Sequence, residues 1–394
     1  MDLPEEPGLA PTVPPDPRPL EANPNDPDLG GIHATLAAAR RAPARTARLE
    51  ALIRLGRQKD DRAFDTLVRA AEDPDWIARK YALSGLGALG LPDALPLVLG
   101  GLRDPHLEVR RTATRALAAL DNGLHAAEWL AAAQDADYLI RASAIAALAR
   151  YPDEVAVDAA LGLLTDAAWL VRYRAVQALE ARPDPRITPA LLQCLATDAT
   201  LASACGYALA ARGVLAPLLA LLPLSPPWRH LAIAAAFGRI DHPDARTALL
   251  AMVGHPDDEV DQAILAQGTA MVAPLCLVLA DEAWGRRWHA AQLLGRLGDR
   301  AAAVPLLPLV DDPHPEVKLA AIEALALLGD AVALSDLVAC TQDPSWRVRE
   351  SALLALGRLG VAEARPVLEA ALQDPRLEVR DAALAALAGG QAPA

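Results

Sequence analysis

The sequence repeats a short pattern in which an aspartate is followed six residues later by arginine or lysine. The pattern opens DPSWRVRESALLALGRLG at Asp343 and returns as DPHLEVRRTATRALAAL at Asp104, DPHPEVKLAAIEALALLG at Asp312 and DPRLEVRDAALAALAGG at Asp374. A fixed internal period is typical of arrays in which each repeat buries its apolar face against its neighbours. The pattern therefore predicts one continuous array rather than separate globular domains.

The basic residue of the pattern measures the period. Most steps between successive basic residues are 31 residues long, which is enough for two helices and two short turns. Ala204 and Asp261 stand at two positions where a basic residue is expected. The spacing predicts about twelve helical hairpins. The basic positions are Arg48, Arg79, Arg110, Arg141, Arg172, Arg229, Arg287, Lys318, Arg349 and Arg380.

Each repeat carries local signals of a helix start. Asp104 has a short carboxylate that caps a helix, and Pro105 suits the first helical position because it has no N–H to leave unpaired. The first helix of this repeat is therefore expected to start at Asp104. Val109 opens one apolar stripe along that helix. The stripe continues through Ala113, Ala116, Leu117 and Leu120.

Composition favours helices and argues against a role with nucleic acid. Hydrophobic residues make up 53% of the chain and aromatic residues 4%, which is typical of helices packed through small side chains. Strand-like runs are scarce, so we predict an all-α fold, a right-handed α-solenoid. The formal net charge of -13 repels the phosphates of nucleic acids and anionic lipids. The second helices, which we expect to form the concave face, carry little positive charge.

Three parts of the chain are predicted from composition. Residues 1–30 are rich in proline and poor in large apolar residues, so we expect a disordered tail. Residues 31–388 hold the repeats, and residues 389–394 are expected to be disordered. The N-terminus is acidic and broken by proline, unlike a secretory signal, and no uncharged run of about 18 apolar residues follows. The chain is therefore expected to be cytoplasmic and not inserted in a membrane.

These signals resemble those of a known repeat family. An aspartate before the first helix, a basic residue six positions later and proline early in the second helix are similar to the HEAT repeat, in its short bacterial, phycobilin-lyase-like form. The resemblance covers about residues 45–388 and implies an α-solenoid of HEAT-like hairpins. It also implies a polar ladder between successive repeats. The ladder would hold Asp73, Arg79, Asp104, Arg110, Asp135, Arg141, Asp166, Arg172, Asp312, Lys318, Asp343, Arg349, Asp374 and Arg380.

The sequence shows no motif of a catalytic or metal site. None of the eight histidines is followed by glutamate, as an iron-dependent hydroxylase built on HEAT repeats would need. The four cysteines form no CxxC pair and have no histidine at metal spacing, so we expect reduced, buried thiols. GxGxxG, P-loop, GxSxG and HExxH motifs are absent. We therefore expect no catalytic residue, no metal and no cofactor.

Aromatic residues recur three positions after the aspartate of a repeat. Trp76, Trp169, Trp284 and Trp346 hold this place, and Tyr138 stands at the corresponding position of another repeat. These rings are expected to lie along one edge of the array, where the first helices start. Two interpretations stay open. The rings form a stripe that anchors a partner, or they cover the turns between repeats and partly bury themselves.

The pattern fails in the central repeats, at about residues 199–290. Asp198 lacks a basic residue six positions later, Pro223 replaces an aspartate, and His255 stands where another aspartate belongs. Loss of ladder contacts is expected to let neighbouring repeats rotate, so the region is a hinge, a partner site or a set of degenerate repeats. For the partner-site alternative, the candidates are the residues that combine aromatic rings with charge where the pattern is relaxed. The predicted partner-binding residues are Trp228, Arg229, His230, Asp257, Asp258, Glu259, Trp284, Arg286, Arg287, Trp288 and His289.

The sequence favours a non-catalytic scaffold or adaptor that binds one or more proteins. The chain ends soon after the helix opened by Asp374, and an uncapped final repeat is expected to cover its apolar surface by self-association or with a partner. The alternative is an enzyme or enzyme subunit of the phycobilin-lyase type that handles a tetrapyrrole or another small ligand. The repeat length supports this alternative.

Overall fold

The computed structural model describes residues 29–41, 44–152 and 154–389. Those residues form 24 α-helices and no β-strand, so the all-α prediction is confirmed. The two segments predicted to be disordered, residues 1–30 and 389–394, lie outside the described residues except where the first and last helices reach into them.

The helices fall in two compact units, residues 1–122 and 123–394. The first unit holds α1 (Leu29–Arg41), α2 (Arg45–Gln58), α3 (Phe64–Ala70), α4 (Trp76–Leu89), α5 (Leu95–Gly101) and α6 (Leu107–Leu120). The second unit holds α7 (Ala126–Ala132), α8 (Tyr138–Leu148), α9 (Glu154–Leu163), α10 (Trp169–Leu179), α11 (Ile187–Thr197), α12 (Ala202–Ala211), α13 (Ala216–Leu221), α14 (Pro227–Phe237), α15 (Pro243–Ala251), α16 (Asp258–Ala266), α17 (Val272–Val278), α18 (Trp284–Leu297), α19 (Ala303–Leu306), α20 (Pro315–Leu328), α21 (Leu334–Cys340), α22 (Trp346–Leu359), α23 (Arg365–Ala371) and α24 (Leu377–Gly389). Short 3-10 helices cover Asp61–Ala63, Pro92–Ala94, Leu222–Leu224, Gly268–Met271, Arg300–Ala302, Leu307–Asp311, Ala331–Ala333 and Ala362–Ala364.

Many repeats pair a long first helix with a short second helix, whereas α8, α9, α10 and α11 have 10 or 11 residues each. The first helices are the even-numbered helices from α2 to α24, in agreement with the predicted number of hairpins. α18, α20 and α22 have 14 residues each, whereas the second helices α17, α21 and α23 have 7. A 3-10 turn such as Pro92–Ala94 takes the place of the first turn of the second helix. The first helices therefore offer the longer packing surface. The right-handed sense of the array stays a prediction.

The first helix of a repeat starts later than predicted. Asp104 lies in the turn before α6, where its Oδ1 accepts the backbone N–H of His106 at 2.8 Å. The helix begins at Leu107, and Nδ1 of His106 accepts the N–H of Glu108 at 3.3 Å. Because the N–H that Asp104 accepts belongs to His106, the residue before the helix, this carboxylate stabilises the preceding turn. The prediction of a start at Asp104 is therefore wrong, whereas Val109 is buried as its place in the apolar stripe requires.

Neighbouring first helices approach closely at small residues. α22 packs on α24, and α14 packs on α16. A Cβ added at Gly357 would lie 2.7 Å from the Cα of Ala386, and one added at Gly238 would lie 2.8 Å from the Cα of Ala263. Real Cβ atoms do not come so close to a backbone atom, so these two positions need glycine for the helices to pack at this distance.

Side chains of the ladder connect successive repeats. Arg141 donates from Nε and Nη2 to the carboxylate of Asp166 at 2.7 and 2.8 Å, and from Nη1 to the backbone oxygen of Asp135 at 2.9 Å. The carboxylate lies 25 residues ahead in the next repeat, and the backbone oxygen lies six residues back in the same repeat. The hydrogen bond from Arg141 lowers the pKa of Asp166. The same forward pairing, with N–O distances of 2.7 to 2.8 Å, joins Arg79 to Asp104, Arg172 to Asp198, Arg287 to Asp312, Lys318 to Asp343 and Arg349 to Asp374. The backward contact to the repeat's own aspartate is also made by Arg110 and Arg380.

Different hydrogen bonds connect the central helices, which we define as α12 to α17. Nε2 of Gln267 donates to the backbone oxygens of Phe237 at 2.7 Å and Ile240 at 2.9 Å. Nη2 of Arg229 donates to the backbone oxygen of Ala196 at 2.5 Å. Phe237 and Ala196 lie in the last turns of α14 and α11, where the last carbonyls have no partner in their own helix, and Ile240 lies in the loop after α14. The absence of ladder pairs therefore does not leave these repeats unconnected.

Candidate functional site

A groove crosses three successive first helices, α18, α20 and α22. Its cavity volume is about 500 Å³. The lining side chains come from the outward face of each helix, at positions three or four residues apart. The side chains that decide its chemistry are Trp288, Leu319, Glu323, Glu350, Leu354 and Arg358.

The groove combines apolar surface with unpaired charge. Trp288, Leu319 and Leu354 supply the apolar part, and Leu354 is 41% exposed. Within the described ranges, Glu323 and Glu350 have no ion-pair partner. Such a surface has room for an apolar side chain of another molecule and acceptors for its hydrogen-bond donors.

The predicted partner-binding residues include Trp288 of this groove and none of its other lining residues. The groove lies on the first helices, which are long and run side by side, whereas the second helices are short. Another lining pair, Arg347 and Glu316, is joined by a salt bridge of 3.1 Å across α20 and α22. A signal was present in the sequence. In these three repeats the positions seven and eleven residues after the aspartate line the groove, and they hold Trp288 and Gln292, Leu319 and Glu323, and Glu350 and Leu354.

The predicted partner-binding residues at the start of α18, Arg286 to Trp288, have two structural roles. Trp288 lines the groove. Arg287 binds Asp312 in the ladder, and Arg286 donates to the backbone oxygen of Val253 at 2.8 Å. Both arginines therefore hold repeats together, which leaves Trp288 as the member of this segment that faces the groove.

His289, another predicted partner-binding residue, is buried in a polar cluster. Its Nδ1 accepts the backbone N–H of Gly254 at 2.8 Å, so the neutral ring carries its hydrogen on Nε2, which lies 2.7 Å from Oδ1 of Asp261. Oδ1 of Asp261 has no well-aligned hydrogen-bond donor among the described residues. Arg296 donates to the other oxygen of Asp261 at 2.9 Å. Asp261 stands where the ladder pattern expects a basic residue. Its contacts with His289 and Arg296 connect α16 with α18 in place of a ladder pair.

The remaining predicted residues lie on α14 and at the start of α16, and these two helices pack together. The guanidinium carbon of Arg229 lies 5.1 Å from the centroid of the Trp228 ring. Half-buried or exposed side chains in this area are those of Trp228, His230, Asp257, Asp258 and Glu259. A partner site at these residues stays a prediction.

The aromatic residues at the edge of the repeats have two different environments. Trp76, Trp284 and Trp346 are each covered by a planar side chain from the next repeat. Trp169 and Tyr138 are 59% and 44% exposed. Three of the five rings are therefore covered by the next repeat and two are not. The covered Trp284 is itself 46% exposed, so Tyr138 is no more exposed than a covered ring, and Trp169 is the most exposed of these.

The thiols of the described residues differ: a hydrogen bond with Cys205 lowers the pKa of the half-buried Cys194, whereas other thiols have raised pKa values. No group of three or more histidine, cysteine, aspartate or glutamate side chains there is arranged to hold a metal ion. Burial raises the pKa of Cys340 to about 11, which keeps this thiol protonated at neutral pH. The neighbouring Cys194 thiol and burial raise the pKa of Cys205.

In the described part of the chain, no single helix is both long enough and apolar enough to span a membrane. α16 and the following stretch Gly268–Val278 reach the required length and composition only together, and they are bent by 109° at the break between them.

Known structures similar to this one come from karyopherins. The karyopherin Kap121p bound to the SUMO protease Ulp1p has a TM-score of 0.60 at 17% identity and matches over 91% of this chain and 49% of its own. Kap121p bound to Ste12p gives a TM-score of 0.60 at 16% identity over the same shares. Kap95p, whose binding induces the switch loops of RanGDP to adopt the GTP-bound conformation, gives 0.53 at 14% identity over 92% of this chain and 60% of its own. The chain thus spans roughly half the length of these proteins, and the likeness is one of fold.

The sequence itself matches a family model and no curated protein. The model is that of HEAT repeats, and it matches residues 32–118, 126–210, 272–356 and 303–388, together well over half of the chain. The matched stretches hold the paired helices and the ladder residues, whereas most of the central helices lie between the second and third match. The resemblance seen in the sequence is confirmed, and the chain belongs to the HEAT-repeat family.

Proposed function

We propose that this protein is a non-catalytic scaffold or adaptor that binds a protein partner along the groove on α18, α20 and α22. The observation that carries the proposal is the groove itself, where Trp288, Leu319 and Leu354 lie beside two carboxylates without ion-pair partners. Solved structures of the same fold with Ulp1p or Ste12p bound support a protein as the class of partner. The proposal includes a cytoplasmic location, no cofactor and no nucleic acid.

The ladder makes this surface suitable for binding. Arg287 binds Asp312 between α18 and α20, and Lys318 binds Asp343 between α20 and α22. Each pair fixes two neighbouring helices that line the groove. A surface that is already ordered loses little conformational freedom when a partner binds, so more of the contact free energy appears as affinity.

The first test compares two exposed leucines. The chain would be isolated from its native cells under mild conditions as the wild type, as Leu354→Glu in the groove and as Leu277→Glu on α17, where the leucine is 76% exposed. We expect the wild type and Leu277→Glu to carry the same protein in stoichiometric amount, identified by mass spectrometry. Leu354→Glu should lose it, because a carboxylate cannot replace the apolar contact. Helical circular dichroism checks that all three chains are folded.

Two outcomes would contradict the proposal. In the first, a folded Leu354→Glu chain retains the partner at full stoichiometry, which would place the partner elsewhere. In the second, the wild type is isolated with a small molecule and no protein. Colour acquired on mixing with a bilin would then support the phycobilin-lyase alternative.

A further inference from the structure

Three tryptophans at the repeat edge show which chemical group covers this position. The rings of Trp284 and His314 are stacked, with centroids 3.8 Å apart and planes at 4°. In the first compact unit the rings of Trp76 and His106 stack at 3.6 Å and 11°. At a third repeat the guanidinium carbon of Arg376 lies 5.8 Å from the centroid of the Trp346 ring. In each case a planar nitrogen-containing group of the next repeat lies over the ring.

The ladder aspartate holds the covering residue in place. Oδ1 of Asp312 accepts the backbone N–H of His314 at 2.8 Å, and Oδ1 of Asp374 accepts that of Arg376 at 2.8 Å. The covering residue is therefore always the one two positions after the aspartate of the next repeat. This turn fixes the backbone from which the imidazole or guanidinium extends towards the preceding tryptophan.

At Trp169 the same turn is present without a planar group. Oδ1 of Asp198 accepts the backbone N–H of Thr200 at 2.9 Å, so Thr200 holds the covering position. Its hydroxyl donates to Asp198 at 2.6 Å and accepts from Nη2 of Arg172 at 3.1 Å, which ties it to the ladder. The ring contact that Trp169 makes is a tilted one with Tyr173, at a centroid distance of 6.2 Å. The residue as a whole is 59% exposed.

The repeat before it shows the same substitution. Tyr138 holds the ring position, and Ala168 holds the covering position, with its N–H bound to Oδ1 of Asp166 at 2.8 Å. Tyr138 is 44% exposed. Two consecutive repeats thus lack the planar group that covers equivalent rings in this chain.

We propose that Trp169, with Tyr138, is a docking site for an arginine side chain of a partner protein. The guanidinium would lie over the open ring, in the place that His314 and Arg376 take over their own tryptophans. Arginine is planar and permanently charged and stacks on aromatic faces, whereas the ammonium of lysine does so less well. The formal net charge of -13 attracts such a side chain and repels the phosphates of a nucleic acid, which would otherwise offer bases to stack. This site lies on α8 and α10, outside the groove, so it goes beyond the proposed function and depends on it only in that the partner is a protein.

The test uses fluorine NMR of the full chain labelled with 5-fluorotryptophan. The Trp169 signal is assigned by its absence in Trp169→Phe. We expect an alternating Gly-Arg peptide to shift this signal in a saturable way, with an affinity about fivefold higher than that of the matching Gly-Lys peptide. The signal of Trp129, which is fully buried, and that of the covered Trp284 should stay in place.

Two variants of the covering residue sharpen the test. Thr200→His supplies the missing ring, so it should shift the Trp169 signal in the free chain and abolish the response to the Gly-Arg peptide. Thr200→Ala removes the same hydroxyl without adding a planar group, so it should keep the response. This pair separates occupation of the ring face from any disturbance of Asp198 and Arg172.

The proposal is overturned if the two peptides shift the Trp169 signal equally, if Trp284 responds as strongly as Trp169, or if no signal moves. A response to single-stranded oligothymidine but not to the Gly-Arg peptide would overturn it in favour of base stacking. None of these results affects the groove, whose partner is tested separately with Leu354→Glu. The two proposals can therefore fail independently.

Discussion

The C-terminal helices α18 to α24 and the central helices α12 to α17 are joined across their repeats by different hydrogen bonds. Among the C-terminal helices, a basic side chain such as Arg287 binds the carboxylate of Asp312 in the next repeat. Among the central helices, Gln267 donates to the backbone oxygen of Phe237 in the preceding repeat. A carboxylate acceptor has to be encoded at one position, whereas every helix end offers carbonyl groups without a helical partner. The central junctions therefore need one suitable donor each, and the repeat pattern is lost there without loss of contact.

Both regions nevertheless share one packing device. Gly357 meets Ala386 among the C-terminal helices, and Gly238 meets Ala263 among the central helices. Close approach of first helices at a glycine thus occurs in both regions, while the polar contacts around it vary. Substitutions at the glycines therefore test the packing of the first helices, and substitutions of the polar side chains test their hydrogen bonds separately.

The largest effect is expected from filling the close contacts. Gly357→Leu and Gly238→Leu would each lower the free energy of unfolding by about 2–3 kcal/mol, because the added side chain meets backbone atoms of the neighbouring helix. Urea denaturation followed by circular dichroism measures the loss. Gly285→Leu on α18 is the control, since a Cβ there meets no atom within 4 Å, and it should change stability by no more than about 1 kcal/mol. If only one region is destabilised, the packing device is not shared.

Breaking the polar junctions should separate the two regions. Arg287→Met leaves the Asp312 carboxylate, which is 6% exposed, without its partner, and we expect a loss of about 2 kcal/mol. Gln267→Leu leaves only neutral carbonyls, with an expected loss of about 1 kcal/mol. Arg365→Met serves as the control, since its salt bridge with Glu369 is exposed and should contribute little. Equal losses for Arg287→Met and Gln267→Leu would show that the ladder charge adds nothing.

Acid should weaken the ladder and spare the central junctions. The hydrogen bond from Arg349 lowers the pKa of Asp374, so this carboxylate stabilises the fold above its unfolded pKa of about 3.9, and the contribution is lost as the pH falls through the lowered folded pKa. We expect the urea concentration at the midpoint of wild-type unfolding to decrease once the pH is lowered below about 4. Arg349→Met should show a shallower fall, because one depressed pKa has been removed. Gln267→Leu should follow the wild-type slope, and a shallower slope for it would contradict the comparison.

Salt gives the smallest expected effect. Raising the ionic strength from about 0.1 to about 1 M shortens the Debye length from about 10 to about 3 Å. The stability difference between the wild type and Arg287→Met should then shrink by a few tenths of a kcal/mol, because the pair is only partly shielded from ions. The difference caused by Gln267→Leu should not change. Urea curves at the two salt concentrations provide the measurement.

The sequence predicted the fold because the repeat is visible in residue types. The period of 31 residues and the apolar stripe from Val109 predicted paired helices, and these are present. The helix start at Asp104 was placed too early, because the carboxylate accepts the N–H of His106 in a turn. Such a turn and a helix cap use the same residue type, so the sequence alone does not distinguish them.

The contacts of the central helices were hidden for a related reason. Gln267 binds carbonyl groups, which every residue has, so no partner residue marks the contact in the sequence. Asp261 was read as a broken ladder position, yet it lies against His289 and Arg296, neither of which follows at the ladder spacing. The groove was missed because its side chains come from three repeats, and the side of the array on which they meet depends on the packing of the first helices.

The forward pairing of the ladder also bears on how such a gene can change length. Arg287 reaches an aspartate 25 positions ahead, and the repeat after that offers an equivalent aspartate 31 positions later. Deleting residues 312–342 would therefore bring Asp343 to the position of Asp312, where Arg287 could bind it. Recombination that removes or duplicates a whole repeat keeps every pair in register, whereas an insertion inside a repeat breaks one. The ladder thus makes this array extendable in steps of one repeat.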